Sequence, residues 1–133
     1  MKLSIVLPAC NEEGSIKETL ITLYNKLLEE KINHEILVIN DNSKDNTVEV
    51  AKELNIHHII SHQVNRGYGG NQKTCYKTAL DLNADIIIML HPDYQYTPNL
   101  IHSMASVIAY DVYPVVMASR ILGKGALKGG MPL

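Results

Sequence analysis

Short runs rich in Ile and Val alternate along this chain with stretches whose apolar residues recur at helical spacing. Leu3 to Leu7 is an apolar run closed by Pro8, and it reads as a buried strand. Ile16, Leu20, Leu23 and Leu27 then fall at i, i+4, i+7 and i+11, one face of a helix of about 18 residues. Ser15 and Glu18 are spaced for a capping box at its start. Glu35 to Ile39 reads as a second strand, Val48, Ala51 and Leu54 as a short second helix, and Ile56 to Ile60 as a third strand. Arg66 to Gly70 holds three Gly and reads as a flexible loop before a helix from Asn71 to Leu82. Ile86 to Leu90 is apolar at every position, the pattern of a strand in the middle of a sheet. Thr97-Pro98 suits a helix start, and Val115 to Ala118 reads as a fifth strand. Strand and helix in alternation predict an α/β fold, a mostly parallel sheet with helices on both faces and right-handed crossovers.

At 133 residues the chain has the length of about one domain. We expect residues 1–122 to form it and the glycine-rich stretch 123–133 to be a flexible tail. Twelve Lys and Arg against 14 Asp and Glu leave a net charge of −2, which excludes a basic nucleic-acid-binding arm. Cys10 and Cys75 are too few for a disulfide framework and read as small packing residues. No apolar run reaches the roughly 18 residues of a membrane span, and the N-terminal apolar stretch is too short for a secretory signal. The expected compartment is the cytoplasm, with work at a membrane surface left open.

In a parallel sheet, ligands sit at the carboxyl ends of the strands. Polar residues gather at those ends: Pro8 to Glu13, Asn40 to Asp45, Asn65 to Gly70 and His91 to Gln95. Asp41 is placed to accept a hydrogen bond from a base or ribose, and equally to close a turn on its own backbone. Glu12 and Glu13 suit a ligand pocket or a helix N-terminus. Asp93 and Gln95, two apart, suit Mg²⁺ or Mn²⁺ beside a diphosphate, or a turn after Pro92. Gly67 allows a close backbone approach to phosphate, and Lys73 and Arg120 are cations able to neutralise it. The spacing matches neither the dinucleotide fingerprint nor a Walker loop. His57, His58 and His62 make a weak zinc set, since neighbouring strand residues face opposite ways and no Cys is adjacent.

As a set, these segments resemble the N-terminal half of glycosyltransferase family 2, inverting enzymes with the GT-A fold. The polyprenyl (dolichyl)-phosphate sugar transferases are the branch they are most similar to. Leu7-Pro8-Ala9-Cys10-Asn11-Glu12 resembles the family's opening Pro-x-Tyr-Asn-Glu, with Cys10 at the Tyr position. Val38 to Thr47 resembles its Val-Val-Asp-Asp-Gly-Ser-x-Asp-Gly-Thr, with Asn40 at the first Asp. Asn65 to Ala79 resembles the Asn-x-Gly segment and its helix. Ile88 to Pro98 resembles the Asp-x-Asp stretch, with His91 at the first Asp, and Ala118-Ser119-Arg120 resembles Gly-Ser-Arg.

The resemblance implies a Rossmann-like nucleotide-diphospho-sugar transferase fold. A full GT-A domain runs to about 200 residues or more, so the expected chain is a C-terminally truncated, donor-binding half. It implies a base and ribose pocket lined by Pro8, Ala9 and Glu12, with Asp41 bonding the base and Gly67 and Lys73 near the phosphates. It implies Mg²⁺ or Mn²⁺ held by Asp93, Gln95 and His91, with Asp93 and Arg120 acting on the leaving diphosphate of a UDP- or GDP-linked sugar. The implied acceptor is a polyprenyl phosphate or a cell-surface glycan. Apolar surface left open would favour a homo-oligomer. A non-catalytic nucleotide-binding module is the rival reading. A nucleotidyltransferase fits less well, because the segment after the first strand is acidic rather than glycine-rich and basic.

Overall fold

The computed structural model describes residues 1–122; the expected tail, 123–133, lies outside the described residues. The elements run β1 (Leu3–Ala9), α1 (Ile16–Glu29), β2 (His34–Asn40), α2 (Thr47–Glu53), β3 (His58–Ser61), α3 (Gly67–Asp81), β4 (Ile86–Met89), a 3₁₀ turn (Pro98–Leu100) and α4 (Ile101–Ala109). All strand pairs are parallel and the sheet order is β3-β2-β1-β4.

Alternation along the strands divides the core in two. Leu3, Ile5, Leu7, Ile36, Val38, Ile86 and Ile88 point to one face, where α1 lays down Ile16, Leu20, Leu23 and Leu27 and α2 adds Ala51. Val6, Leu37 and Ile39 point to the other face and meet Cys75 and Ala79 of α3. Helices therefore cover both faces, as the period change along the sequence predicts. The first two crossovers walk outward from β1 to β2 and β3, and α3 carries the chain back to the far side of β1. The order reverses beside β1, and that reversal opens a crevice at the carboxyl edge of the sheet.

Pro8 sits within this central strand at no cost in pairing. Odd residues of β1 bond toward β2, as Asp41 N–H donating to the Ala9 carbonyl shows, and even residues bond toward β4. Pairing with β4 ends at Val6 opposite Met89, so the missing N–H of Pro8 faces a position beyond the ladder.

Five expectations need correction. Ile86 to Leu90 is not mid-sheet: among the described residues β4 is an edge strand, and Ile87 and Met89 are only half-buried. Val115 to Ala118 forms no strand, and Val115 and Met117 are 73% and 90% exposed. β-propensity describes fit to a pleated neighbour, and no strand here receives this segment. The glycine loop is already helix, because α3 starts at Gly67 instead of Asn71. The Ser15–Glu18 capping box does not form: Ser15 reaches into the β4 loop, and Glu18 accepts from the Tyr94 hydroxyl at 2.8 Å. α1 also stops earlier than its apolar period suggests. Lys31 takes a left-handed φ of 53°, and the Ile32 N–H returns to the Leu27 carbonyl, closing the helix end.

At the opposite, amino edge of the sheet, buried Glu35 accepts from Ser4 Oγ at 2.6 Å and pairs with Lys2 Nζ at 3.0 Å, with His58 Nε2 at 3.4 Å. Burial works to raise its pKa, and the Ser4 and Lys2 bonds with the Lys2 and His58 charges outweigh that and hold it below the usual range. A depressed folded pKa contributes stability that is complete above the ordinary glutamate value and is lost as pH falls through the folded one. Glu35→Gln is therefore expected to shrink the difference between urea midpoints measured at neutral and at strongly acid pH. An unchanged difference would show that other carboxylates control acid unfolding.

Candidate functional site

The loops after β1 and β2 are stitched together. The Asn11 N–H donates to Ser43 Oγ at 3.0 Å, and Asn11 Oδ1 accepts from Lys44 N–H at 2.8 Å. Asn11 holds a φ of 55°, a left-handed position that Asn tolerates. The Glu12 N–H donates to Thr47 Oγ1 at 2.8 Å, and Glu13 exchanges bonds with Asp45 and the Asn46 N–H. Asp45 in turn caps Thr47, and Asn40 Oδ1 accepts from the Ser43 N–H. Thus Asn40, Ser43, Asp45 and Thr47 spend their polar groups on the turn. The turn reading of this segment holds for these residues, while the Asp41 side chain bonds outside the turn, to His62 and Arg66.

Asp41 is 2% exposed, just past the end of β2. Its Oδ1 lies 2.8 Å from His62 Nδ1 and accepts from the Arg66 N–H at 2.7 Å. Burial alone would raise its pKa; the bonds from His62 and Arg66 prevail and keep it low, so the group is an anion at neutral pH. Asn65 braces the same corner: its Nδ2 donates to the Asp41 carbonyl at 3.0 Å, and its Oδ1 accepts from the Gly67 N–H at 2.9 Å. Gly67 has a φ of 74°, which a side chain would strain. Cys10, expected to be a packing residue, is half-buried here, its Sγ 3.6 Å from the Asp41 carbonyl and 3.5 Å from Asn65 Nδ2.

The loop after β4 forms the other wall. Ser15 Oγ donates to the Pro92 carbonyl and stands 3.1 Å from Glu12 Oε2, which ties this wall to the β1 loop. Burial, then the nearby charges of Asp93 and Asp45, raise the Glu12 pKa against the pull of Ser15. Asp93 Oδ1 accepts from the Gln95 N–H at 3.1 Å, and among the described residues its second oxygen takes no hydrogen bond. His91 is kept neutral by burial despite Asp93, with Nε2 3.0 Å from the Tyr68 hydroxyl. The Tyr68 ring stacks on His91 at 5.4 Å, Tyr96 tilts against it at 5.5 Å, and the Arg120 guanidinium lies 5.4 Å from the Tyr96 ring centre. Behind this ladder a groove of about 860 Å³ runs along β4, lined by Ile87, Met89, Met104 and Val116.

The structure thus gathers Pro8, Ala9, Glu12, Asp41, Gly67, His91, Asp93, Gln95 and Arg120 along one edge. Asp41 follows β2 and Asp93 follows β4, with β1 between them, so roughly two strand spacings of about 4.8 Å separate the walls. Lys73 is exposed in the second turn of α3, and among the described residues no hydrogen bond or ion pair joins it to this group. Nothing in the sequence marks Tyr68 and Tyr96 as site residues. His62 drew notice only as a zinc candidate; its position directly after a strand was the signal available.

No group of three or more His, Cys, Asp or Glu among the described residues is placed to hold a metal. The donors present at the β4 loop are one carboxylate oxygen, a neutral imidazole and an exposed carboxamide. That set fits a hard divalent ion whose shell is completed by substrate phosphates and water, as Mg²⁺ and Mn²⁺ commonly bind.

The family model for glycosyl transferase family 2 matches residues 4–131. The chain belongs to that family. Among curated relatives, an uncharacterised protein of Methanocaldococcus jannaschii is 36% identical over 97% of this chain and 50% of its own length. The UDP-N-acetylglucosamine–dolichyl-phosphate N-acetylglucosaminyltransferase of Methanococcus voltae is 32% identical over 97% of this chain and 55% of its own. The chain thus spans about half the length of these relatives. S. aureus TarS 1–349, solved with UDP-GlcNAc, superposes with a TM-score of 0.65 at 21% identity, covering 83% of this chain and 32% of that one. Glucosyl-3-phosphoglycerate synthase of Mycobacterium tuberculosis, solved with Mn²⁺, UDP and phosphoglyceric acid, gives 0.63 at 22% identity, covering 80% and 38%. At those identities the family's fold is what is shared, and the parallel sheet with helices on both faces agrees with it.

Proposed function

We propose that this family 2 chain forms the donor side of a metal-dependent inverting glycosyltransferase that takes its sugar from a nucleoside diphosphate, a UDP-sugar first. The observation that carries this is the pair of walls just described. An ionised Asp41 follows β2 and Asp93 follows β4, on either side of the point where strand order reverses. Pro8, Ala9 and Glu12 floor the space between them for base and ribose. The UDP complexes of TarS and of the phosphoglycerate synthase support the donor class, and Mn²⁺ in the latter supports the metal.

In this reading Asp93, with His91 and Gln95, would hold Mg²⁺ or Mn²⁺, which would offset diphosphate charge. If His91 Nε2–H donates to Tyr68, Nδ1 keeps the lone pair a metal requires. When bound, the metal offsets the negative charge that builds on the leaving phosphate. Arg120 adds a fixed cation beside it, and Gly67 and Lys73 lie toward the phosphates at the start of α3. The acceptor is a polyprenyl phosphate, the acceptor class named for the Methanococcus voltae relative. A phosphate oxygen is already a nucleophile and needs little general-base help. No helix among the described residues is long and apolar enough to cross a membrane, so the lipid would have to be met at the bilayer surface. The unpaired edge of β4 makes self-association our expectation, and a monomeric mass in light scattering would count against it.

Calorimetric titration with UDP and GDP, with Mn²⁺ and then with chelator, tests the proposal. Binding strengthened by Mn²⁺ is expected, and the strengthening should vanish in Asp93→Asn while chelator-insensitive binding persists. Absence of binding by either nucleotide at millimolar concentration would end the proposal for this chain.

A further inference from the structure

Asp41 is gripped through a single oxygen. The ring of His62, buried directly past the end of β3, brings Nδ1 to 2.8 Å from Asp41 Oδ1, and the Arg66 N–H meets that same atom at 2.7 Å. Nε2 of the same ring is 2.9 Å from Thr74 Oγ1, so α3 holds the imidazole from behind. The His62 backbone N–H donates to the Asn40 carbonyl at 2.9 Å, which fixes the ring's origin as well. Both tight hydrogen bonds to the Asp41 side chain end on Oδ1, and the Gly67 N–H adds a weaker pull on the same carboxylate. A carboxylate held in this way cannot turn without breaking two bonds, both of them charge-assisted.

We propose that His62 is a positioning residue: by holding Asp41 Oδ1 it aims Oδ2 at the nucleobase and makes the site select bases that present an N–H over bases that present a lone pair. This rests on the nucleotide-binding reading above and deepens it. A carboxylate can only accept. Uracil offers N3–H and guanine N1–H, whereas cytosine and adenine put an unprotonated ring nitrogen at the corresponding edge. Two acceptors facing each other leave both unpaired, and a site built on one directed hydrogen bond rejects such analogues strongly. A carboxylate free to rotate would lose part of that rejection while keeping its charge. A purely structural His62 would instead change stability and leave the ratio between bases alone.

The test compares UDP with CDP by calorimetry in the presence of Mn²⁺, for the wild-type chain, His62→Leu and His62→Asn, with thermal midpoints recorded in parallel. Should the wild type prefer GDP, ADP replaces CDP as the lone-pair competitor. His62→Leu is expected to lower the preference by roughly tenfold, the worth of one hydrogen bond to a charged group. His62→Asn, whose Nδ2–H occupies nearly the place of the ring Nδ1–H, is expected to restore most of it. If His62→Leu does not fold, Thr74→Val frees the ring from behind and should lower the preference by a smaller factor. An unchanged preference in the folded variants overturns the role of His62 while leaving the nucleotide site standing. A wild type that binds neither UDP nor GDP overturns both.

Discussion

Asp41→Ala is expected to cost nucleotide affinity on the order of a hundredfold and, separately, about 3 kcal/mol of stability. The second figure follows from what the carboxylate does inside the protein. It is 2% exposed and serves both the His62 ring and the Arg66 N–H. Truncation strands the buried His62 ring after β3 and the Arg66 N–H at the start of α3, and losing one partner of a buried pair is far costlier than the pair itself is stabilising. The affinity loss follows from the acceptor that the proposed base contact would lose. Asp41→Asn separates the two effects. Its Oδ1 still accepts both internal bonds, so the urea midpoint should move little. Its outer atom becomes an NH₂ donor, which meets the N3–H of uracil donor to donor, so UDP affinity should fall nearly as far as in Asp41→Ala. Full UDP affinity in Asp41→Asn would show that the carboxylate faces something other than the base.

Ile5→Ala is expected to destabilise the fold by about 3 kcal/mol, within the range for emptying a large buried aliphatic site, and to lower the thermal midpoint by roughly 10 °C. Ile5 is fully buried at the centre of β1, beside Ile36 on one side and Ile88 on the other. The sheet around it is paired on both sides and cannot collapse into the cavity, which keeps the cost above the bottom of that range. Leu100→Ala, on an exposed side chain, serves as the control and should change the midpoint by less than about a third as much. Equal effects would mean that the central strand packs more loosely than the structure shows.

Much of this molecule was readable one segment at a time. The apolar runs of β1 and β2 and the Ile16, Leu20, Leu23, Leu27 face of α1 are local patterns that a short stretch displays by itself. The order of the motifs led to Asp41 and Asp93, because polar residues directly after strands emerge at one edge of a parallel sheet; Arg120 lacks that reason, since no strand precedes it. Segments whose state depends on a distant neighbour were misread. Ile86 to Leu90 looks central because its apolar run fits burial on both faces, yet burial of faces says nothing about which strand lies alongside. Val115 to Ala118 has strand composition and no partner. Ser15 has the spacing of a cap and bonds to Pro92, 77 residues away.

Residue identity and spacing alone settle that β1, α1, β2 and α2 are strand, helix, strand and helix, which face of α1 is apolar, and where polar loops interrupt them; these are properties of the covalent chain read over a few residues. Folding settles the rest: the sheet order that puts β1 between the two acidic loops, and the meeting of His62 with Asp41 across 21 residues. Strand order and side-chain pairing arise from contacts between segments, whose energies have no signature in either segment read separately.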